Sequence, residues 1–312
     1  MEETRRSNRD RPRPALVIKG RPITPAEAQR RSRLVAEALA KLQTGVAEDD
    51  SEEEEEERED YYAFQARRFK ETWDFALYGP FDETTKIPPM RFTDKKPEPR
   101  YCAYPRDTLQ IFSLKVPHLK LTGPTRAVVL VDPVTFDVDL KVKGTTESED
   151  KHLSFLAVPF MSTSGNPLRS APLVREYTSK LSTLEFALGV VVFSVEASIT
   201  VKVTRGSWPS GLRAQFAAHT SSIIGPEVIL LDSGDDKVPV AGDGTITLSR
   251  SVASAEVIGK LKVSVKALQG DEIIAHDTRR FWTKKTGRSV GPLEIGFCDM
   301  DVTVAWSLVS SY

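Results

Sequence analysis

Residues 260–267 read KLKVSVKA, and this stretch indicates the fold class more clearly than any other. Apolar and polar side chains alternate at every step along it. Because successive side chains of a β-strand point to opposite faces of a sheet, the apolar side chains share one face and the lysines the other. FDVDLKVK at 136–143 and MDVTVAWSL at 300–308 show the same period of two. The sequence therefore predicts strands with one face on a core and one face in water.

Further strand-like segments, separated by turn signals such as Gly225-Pro226 and Asp243-Gly244, fill the sequence around these stretches. No long helical crossovers lie between them, which favours antiparallel pairing. We therefore predict a mainly β protein, an antiparallel two-layer β-sandwich with a partly helical, partly disordered N-terminal extension. The further strand candidates are 109–116, 127–131, 153–158, 190–203, 215–220, 227–231, 245–251 and 297–309.

Charge is strongly segregated along the chain, although the formal net charge of its 312 residues is only -1. Residues 1–47 hold eleven Lys and Arg against five acids, and residues 48–60 hold eleven acids against one arginine. The glutamate run at 52–57 repels itself and cannot bury apolar surface, so we expect an acidic, solvated low-complexity segment. A capping-box sequence at Thr24 to Glu27 predicts a helix that continues to about residue 43.

The chain is predicted to have three parts. Residues 1–60 form a charged, largely disordered extension with one helix near 25–43. Residues 61–105 form an aromatic helix followed by a proline-rich strap, because aromatic and basic side chains interleave from Tyr61 onwards and five prolines follow Ile87. Residues 106–312 form the β-sandwich.

Cysteine content and hydropathy indicate the compartment. Cys102 and Cys298 are too few for a disulfide framework, and no apolar signal core follows the arginine-rich start. The longest apolar stretch, 186–195, is about half the roughly 20 residues that a membrane-spanning helix needs. We therefore expect an intracellular protein, cytoplasmic or nuclear, with no signal peptide, no transmembrane segment and no membrane partner.

The sequence contains no recognisable catalytic constellation, phosphate loop or paired-cysteine metal spacing, so we predict no catalytic residue, no cofactor and no metal. The Glu-Ala-Gln-Arg run at 27–30 matches an element of ribosome-inactivating N-glycosidases, but it lies inside a capping box and is interpreted as chance. Acidic side chains around Gly234 and Gly242 offer oxygen ligands of the kind that calcium prefers, although Asp and Gly also dominate ordinary turns. These metal candidates are Asp232, Asp235, Asp236 and Asp243.

Several segments resemble one family, the DUF6598 domain-containing proteins of plants, mainly grasses. They include IPPMRFTD at 87–94, DPVTFDVDLKVKG at 132–144 and VILLDSGD at 228–235. The resemblance implies a β-rich domain that some proteins fuse to a ribosome-inactivating domain of the jasmonate-induced type, and it implies a stress or defence setting. It carries over no catalytic residue.

One departure from the family concerns residues 117–120, where relatives have additional strand-forming sequence. This short connection predicts a sandwich lacking one or two strands, and hence an unpaired edge strand through which the protein self-associates.

Three functions remain open on the sequence. The leading hypothesis is a non-enzymatic protein interaction or regulatory module with an unknown protein partner. The first alternative is a ribosome- or RNA-associated factor, indicated by the arginine-rich start, by Arg67 and Arg68, and by the lysine rows on the outward strand faces around Lys141, Lys260 and Lys262. The second alternative is a protein related to the rRNA N-glycosidases.

Overall fold

The computed structural model of the protein describes residues 60–76, 92–94, 104–115, 121–124, 126–130, 134–160, 169–235 and 237–309. The described chain forms two compact units. The first comprises the described residues within Met1–Lys86, Asp132–Thr163 and Tyr177–Leu184, and the second comprises those within Ile87–Val131, Ser164–Glu176 and Glu185–Tyr312. The helix predicted at 25–43, the acidic segment at 52–57 and the short connection at 117–120 lie outside the described residues.

One α-helix, one short 3-10 helix and fourteen strands make up the regular structure of the described residues, and the 3-10 helix covers Glu147–Glu149 between the third and fourth strands. Their bounds in chain order are α1 Tyr61–Ala76, β1 Arg106–Lys115, β2 Val128–Val129, β3 Val134–Val142, β4 Lys151–Phe160, β5 Ala171–Thr178, β6 Thr183–Gly206, β7 Arg213–Thr220, β8 Val228–Asp232, β9 Thr245–Ile246, β10 Val252–Glu256, β11 Lys260–Gln269, β12 Glu272–Trp282, β13 Thr286–Glu294 and β14 Cys298–Leu308.

The first unit pairs a helix with a β-hairpin. Asp60 caps α1, because its Oδ1 accepts a hydrogen bond from the amide of Tyr62 at 2.9 Å. Strands β3 and β4 pair antiparallel, and α1 packs against β4 through an apolar cluster. Its buried members are Ala66, Phe69, Trp73 and Ala157.

The second unit contains two antiparallel sheets around one hydrophobic core. The larger sheet has the order β13-β14-β6-β1-β2, and β5, β9 and β10 also pair with β6. The smaller sheet, called here the second sheet, has the order β12-β11-β7-β8. Side chains of both sheets form a single core, Val201 and Trp306 from the larger sheet and Phe216 and Val263 from the second among them. The mainly β, antiparallel class predicted from the sequence is confirmed, and the shared core is what a two-layer sandwich requires.

Two predicted strands are shorter than expected. Among the described residues of the stretch 127–131, only Val128–Val129 is extended, as β2. Only Thr245–Ile246 of the stretch 245–251 is extended as β9, and the next strand begins at Val252. The reason is Arg250, whose side chain turns into the protein. Its guanidinium donates to the backbone carbonyls of Gly123 at 2.9 Å, Phe112 at 3.3 Å and Ile111 at 2.6 Å. Desolvation lowers the pKa of Arg250 to about 10.

Candidate binding surface

The candidate site lies on the outward face of the second sheet, and the alternation of β11 creates it. Leu261, Val263 and Val265 are buried in the core, so the intervening lysines point outward from the middle strand. We call this surface the basic face. Its basic side chains are Lys260, Lys262, Lys266, His219, His276 and Arg280.

Strand register brings these basic side chains together from three strands. Lys262 lies directly opposite Arg280 on β12 and His219 on β7, and Lys266 lies opposite His276. Like charges directly opposite each other in antiparallel strands are destabilising. The pairing of Lys262 with Arg280 is therefore locally unfavourable for the sheet. Locally unfavourable features of this kind concentrate at functional sites.

The positive charge is concentrated at one end of the basic face. At the other end Lys266 Nζ lies 4.0 Å from a carboxylate oxygen of Glu227, and Arg213 Nε donates to Asp232 at 2.6 Å. Within the described part of the chain, none of Lys260, Lys262 and Arg280 takes part in an ion pair. These three cations therefore present uncompensated charge to an incoming anion.

Trp282 completes this end of the surface. It lies opposite Lys260 at the end of β12, and its side chain is 67% exposed. Lys260 Nζ lies 4.0 Å from the ring centroid, which is cation–π geometry. An exposed indole next to unpaired cations can combine apolar contact with charge attraction in binding a partner.

Two of the metal candidates, Asp232 and Asp243, are held by hydrogen bonds from neighbouring residues. The Asp232 carboxylate accepts hydrogen bonds from Arg213 and from the amide of Gly234 at 3.1 Å, and the Asp243 carboxylate accepts from the amide and hydroxyl of Thr245 at 3.0 and 2.9 Å. Asp235 is exposed, and Asp236 lies outside the described residues.

These contacts also set the acidity of both carboxyl groups. The hydrogen bond from Arg213 is the main cause of the lowered pKa of Asp232, and the hydrogen bonds from Thr245 lower the pKa of Asp243. Among the described residues, no group of three or more His, Cys, Asp or Glu side chains could hold a metal ion.

Cys298 is a weak candidate for nucleophilic chemistry. The thiol is buried in the core, and desolvation, with a smaller contribution from Asp299, raises its pKa. A thiol with a raised pKa holds less of the reactive thiolate at neutral pH. The position therefore suits packing better than catalysis.

Sequence reasoning singled out Lys260 and Lys262 but missed Arg280, His219 and Trp282. The run Arg279 to Lys285, RRFWTKK, is the signal that could have located two of them, because it is rich in cations around an aromatic residue. Only the strand register shows that these residues share one face with β11.

In the described part of the chain, no helix has the length and apolar character needed to cross a membrane.

Comparisons with known proteins identify a family rather than an activity. No curated protein matches the chain. Among solved structures, a chain that comprises the two C2 domains, A and B, of Extended-Synaptotagmin 2 matches with 8% sequence identity, covering 74% of this chain and 99% of that chain, at a TM-score of 0.24. A score this low does not establish a shared fold. The family model described as "Domain of unknown function (DUF6598)" matches residues 93–304, and the chain therefore belongs to the DUF6598 family.

Proposed function

We propose that this protein is a non-enzymatic interaction module that binds an acidic segment of a partner protein through the basic face. The observation that carries this proposal is the juxtaposition of Lys262 and Arg280 on neighbouring strands, neither of them in an ion pair with another described residue. An acidic partner would relieve the repulsion of these two cations. Surfaces of one charge sign also speed association with an oppositely charged partner.

The chemistry of the other candidate residues supports binding over catalysis. Cys298 is buried with a raised pKa, and the carboxylates of Asp232 and Asp243 hydrogen-bond to groups of their own turns and strands. Neither feature supplies a group poised to react with a substrate.

Association with RNA or the ribosome is the second candidate function. The exposed indole of Trp282 beside Lys260 favours it, since aromatic side chains next to cations stack on nucleic-acid bases. It requires RNA binding that weakens steeply as salt is raised. Absence of binding to single-stranded RNA at low salt would eliminate it.

Two finer parts of the proposal rest on the family resemblance. One is a stress or defence setting, which predicts that the protein accumulates after a stress stimulus. The other is a lack of rRNA N-glycosidase activity, and we propose that the full chain releases no adenine from ribosomes. Adenine release above the level of a buffer control would contradict this.

The test measures binding of the full chain to a fluorescent poly-glutamate peptide at low and high salt. The double variant Lys262→Glu with Arg280→Glu should weaken binding by about tenfold or more, since each change replaces attraction by repulsion. The matched control, Lys141→Glu with Lys143→Glu, makes the same charge change on exposed lysines at the end of β3. Equal weakening by both variants would show that net charge, and not the basic face, determines binding.

A further inference from the structure

Four large apolar side chains protrude where the second sheet ends near Trp282. Ile224 and Ile258 are 87% and 89% exposed, and Phe193 and Trp282 are 62% and 67% exposed. Single exposed apolar residues are ordinary on protein surfaces, whereas a cluster marks an interaction site. We call the four residues the apolar tip.

Hydrogen bonds hold the segments that carry the apolar tip next to one another. The turn that carries Ile258 connects β10 to β11. On one side of this turn, the amide of Val257 donates to the carbonyl of Phe193 at 2.9 Å. On the other side, the hydroxyl of Thr283, the residue after Trp282, donates to the carbonyl of Val257 at 2.6 Å.

Ile224 lies beside the start of β11, in the turn that follows the neighbouring strand β7. This turn begins at Ser221, and Ser221 is bonded to Lys260 twice. The amide of Ser221 donates to the carbonyl of Lys260 at 2.9 Å, and the amide of Lys260 donates to the hydroxyl of Ser221 at 2.9 Å. Ile223 anchors this turn because its side chain is buried in the core, which leaves Ile224 pointing away from the core.

The backbone at Phe193 is held in a conformation that L residues avoid. Its φ is 44°, in the left-handed region. The amide of Phe193 donates to Asp107 Oδ1 at 3.0 Å, and its carbonyl accepts from Val257. Non-glycine residues in this region cluster at binding and switch sites, where the surrounding structure enforces them. Here the conformation coincides with a register shift between β6 and β1, and the aromatic ring is mostly exposed to water.

Cations surround the apolar tip on the side of the second sheet. Lys260 lies against Trp282, and the next pair along the strands is Lys262 with Arg280. Two carboxylates also lie beside the tip: Asp107 accepts a hydrogen bond from the amide of Phe193, and Glu256, the residue before Val257, accepts one from the hydroxyl of Ser170. Because a hydrogen bond from an uncharged donor does not cancel the charge of a carboxylate, the positive charge of the tip lies on the side of the second sheet. The tip therefore combines protruding hydrocarbon with unpaired positive charge.

We propose that the apolar tip inserts into the interfacial region of an anionic lipid membrane while Lys260, Lys262 and Arg280 contact lipid headgroups. Isoleucines that are almost wholly exposed gain nothing from a polyanion such as RNA, because they neither stack on bases nor neutralise phosphate. They do gain from contact with acyl chains. Indole rings favour the membrane–water interface, and lysine and arginine at the surface are attracted by anionic lipids.

This inference goes beyond the proposed function in its ligand and shares only the cations of the basic face with it. It also differs from the expectation drawn from the sequence that the protein has no membrane partner. That expectation concerned a continuous apolar span, whereas peripheral insertion uses separate side chains that strand topology brings together.

The first experiment is sedimentation of the full chain with vesicles of phosphatidylcholine alone and of phosphatidylcholine with phosphatidylserine. We expect binding to the anionic vesicles, and about tenfold or more weaker binding for Ile224→Ser with Ile258→Ser. The matched control is Ile273→Ser with Ile274→Ser, which alters two half-exposed isoleucines of β12 beside Asp271 and Glu272. This control should bind as the wild type does.

A fluorescence measurement reports insertion directly. Trp73 and Trp306 are buried and Trp208 is partly buried, so Trp282 is the exposed tryptophan among the four. Anionic vesicles should shift its emission to shorter wavelength, and Trp282→Phe should abolish the shift without unfolding the protein.

The outcomes separate this inference from the proposed function. Vesicle binding that Lys262→Glu with Arg280→Glu removes, but that the Ile224 and Ile258 changes leave intact, would support the basic face and overturn insertion. Binding to poly-glutamate or RNA without any binding to anionic vesicles would overturn the lipid inference alone. Vesicle binding sensitive to the isoleucines, without binding to poly-glutamate, would support insertion and overturn the proposed acidic protein partner.

Discussion

Arg126 Nε lies 2.9 Å from Oε1 and 3.0 Å from Oε2 of Glu196, and both side chains are buried. The amide of Ala127 also donates to Oε2 of Glu196, at 2.6 Å. The carboxylate therefore fastens the segment leading into β2 onto the middle of β6. Because both partners have lost their hydration, the pair is expected to matter for the integrity of the fold even if its net contribution to stability is small.

Glu196→Gln should lower the free energy of unfolding by about 3 kcal/mol, because it leaves the buried charge of Arg126 without this carboxylate. Urea denaturation of the full chain at pH 7 measures the effect. The control is Asp299→Asn, which removes the ion pair with Arg205, a side chain that is 83% exposed. That change should cost about 0–1 kcal/mol. Similar losses from the two changes would contradict the importance assigned to the buried pair.

Gly189 is predicted to be intolerant of alanine. It is buried in β6, and an added Cβ would lie 2.7 Å from both Phe112 Cε2 and Ile223 Cδ1. Since these side chains belong to the packed core, Gly189→Ala should cost about 1–3 kcal/mol of stability, as overpacking does. Thermal denaturation should show a lower Tm.

A second change distinguishes overpacking from a backbone effect. Ile223→Val removes the methyl group that the new Cβ would meet, so it should recover part of the loss when combined with Gly189→Ala. Gly242→Ala serves as the control, because an alanine Cβ at that position would have no atom within 4 Å and its φ is not in the left-handed region. If the double variant recovers no stability, the loss in Gly189→Ala does not come from the contact with Ile223.

The ion pair of Asp232 with Arg213 should make stability depend on pH in the acid range. The hydrogen bond from Arg213 lowers the pKa of Asp232 below its ordinary value of 3.8. In that range the unfolded chain binds the proton more readily than the folded chain, so stability rises with pH. The contribution of the ion pair to the free energy of unfolding is fully present above the ordinary pKa of 3.8. It is lost as the pH falls through the lowered pKa of Asp232 in the folded state.

Asp232→Asn should therefore destabilise the protein at pH 7 by about 1 kcal/mol or less, since the pair is partly solvent-exposed. The difference from the wild type should shrink as pH falls below about 4. Urea denaturation of both proteins across this range measures it, with Asp235→Asn as a control from the same turn. A difference that stays constant down to low pH would show that packing or the hydrogen bond from Gly234, rather than charge, explains the loss.

The sequence predicted the class of fold because a period of two is a local property. It identified β11 and β14 from alternation alone, since each has one face in the core. The edge strand β12 escaped notice because its inward positions include Asp277 and Arg279. Asp277 accepts a hydrogen bond from the amide of Glu294 on β13, and Arg279 lies against Gly291. These two polar residues contact β13 at the edge of the sandwich. Because they are polar at inward positions, the alternation of apolar and polar side chains along β12 is not visible in the sequence.

The candidate site was only partly predictable for a related reason. Lys260 and Lys262 were visible as a lysine row, but Arg280 and Trp282 join them through the pairing of β11 with β12. Phe193 lies inside an apolar run that reads as buried, and only its left-handed backbone places the ring outside. Long-range pairing and a single unusual φ are not encoded in local periodicity.

Phe193→Gly should stabilise the protein while weakening its binding to membranes. A left-handed conformation costs an L residue about 1–2 kcal/mol, and glycine adopts it without a steric penalty. Because the ring is mostly exposed, little burial is lost, and we expect a gain of about 0.5–1 kcal/mol after the greater chain entropy of glycine is counted. Thermal denaturation measures the gain, and sedimentation with phosphatidylserine-containing vesicles measures the binding.

Val290→Gly is the matched control for this last change. Val290 is as exposed as Phe193 and lies in β13, outside the residues with positive φ, so glycine there should lower stability by about 0.5–1 kcal/mol and leave vesicle binding unchanged. If Phe193→Gly lowers the Tm as Val290→Gly does, the ring supports the fold and its exposure is not maintained for binding. A higher Tm together with weaker vesicle binding would show that Phe193 lowers the stability of the fold and strengthens binding to the membrane.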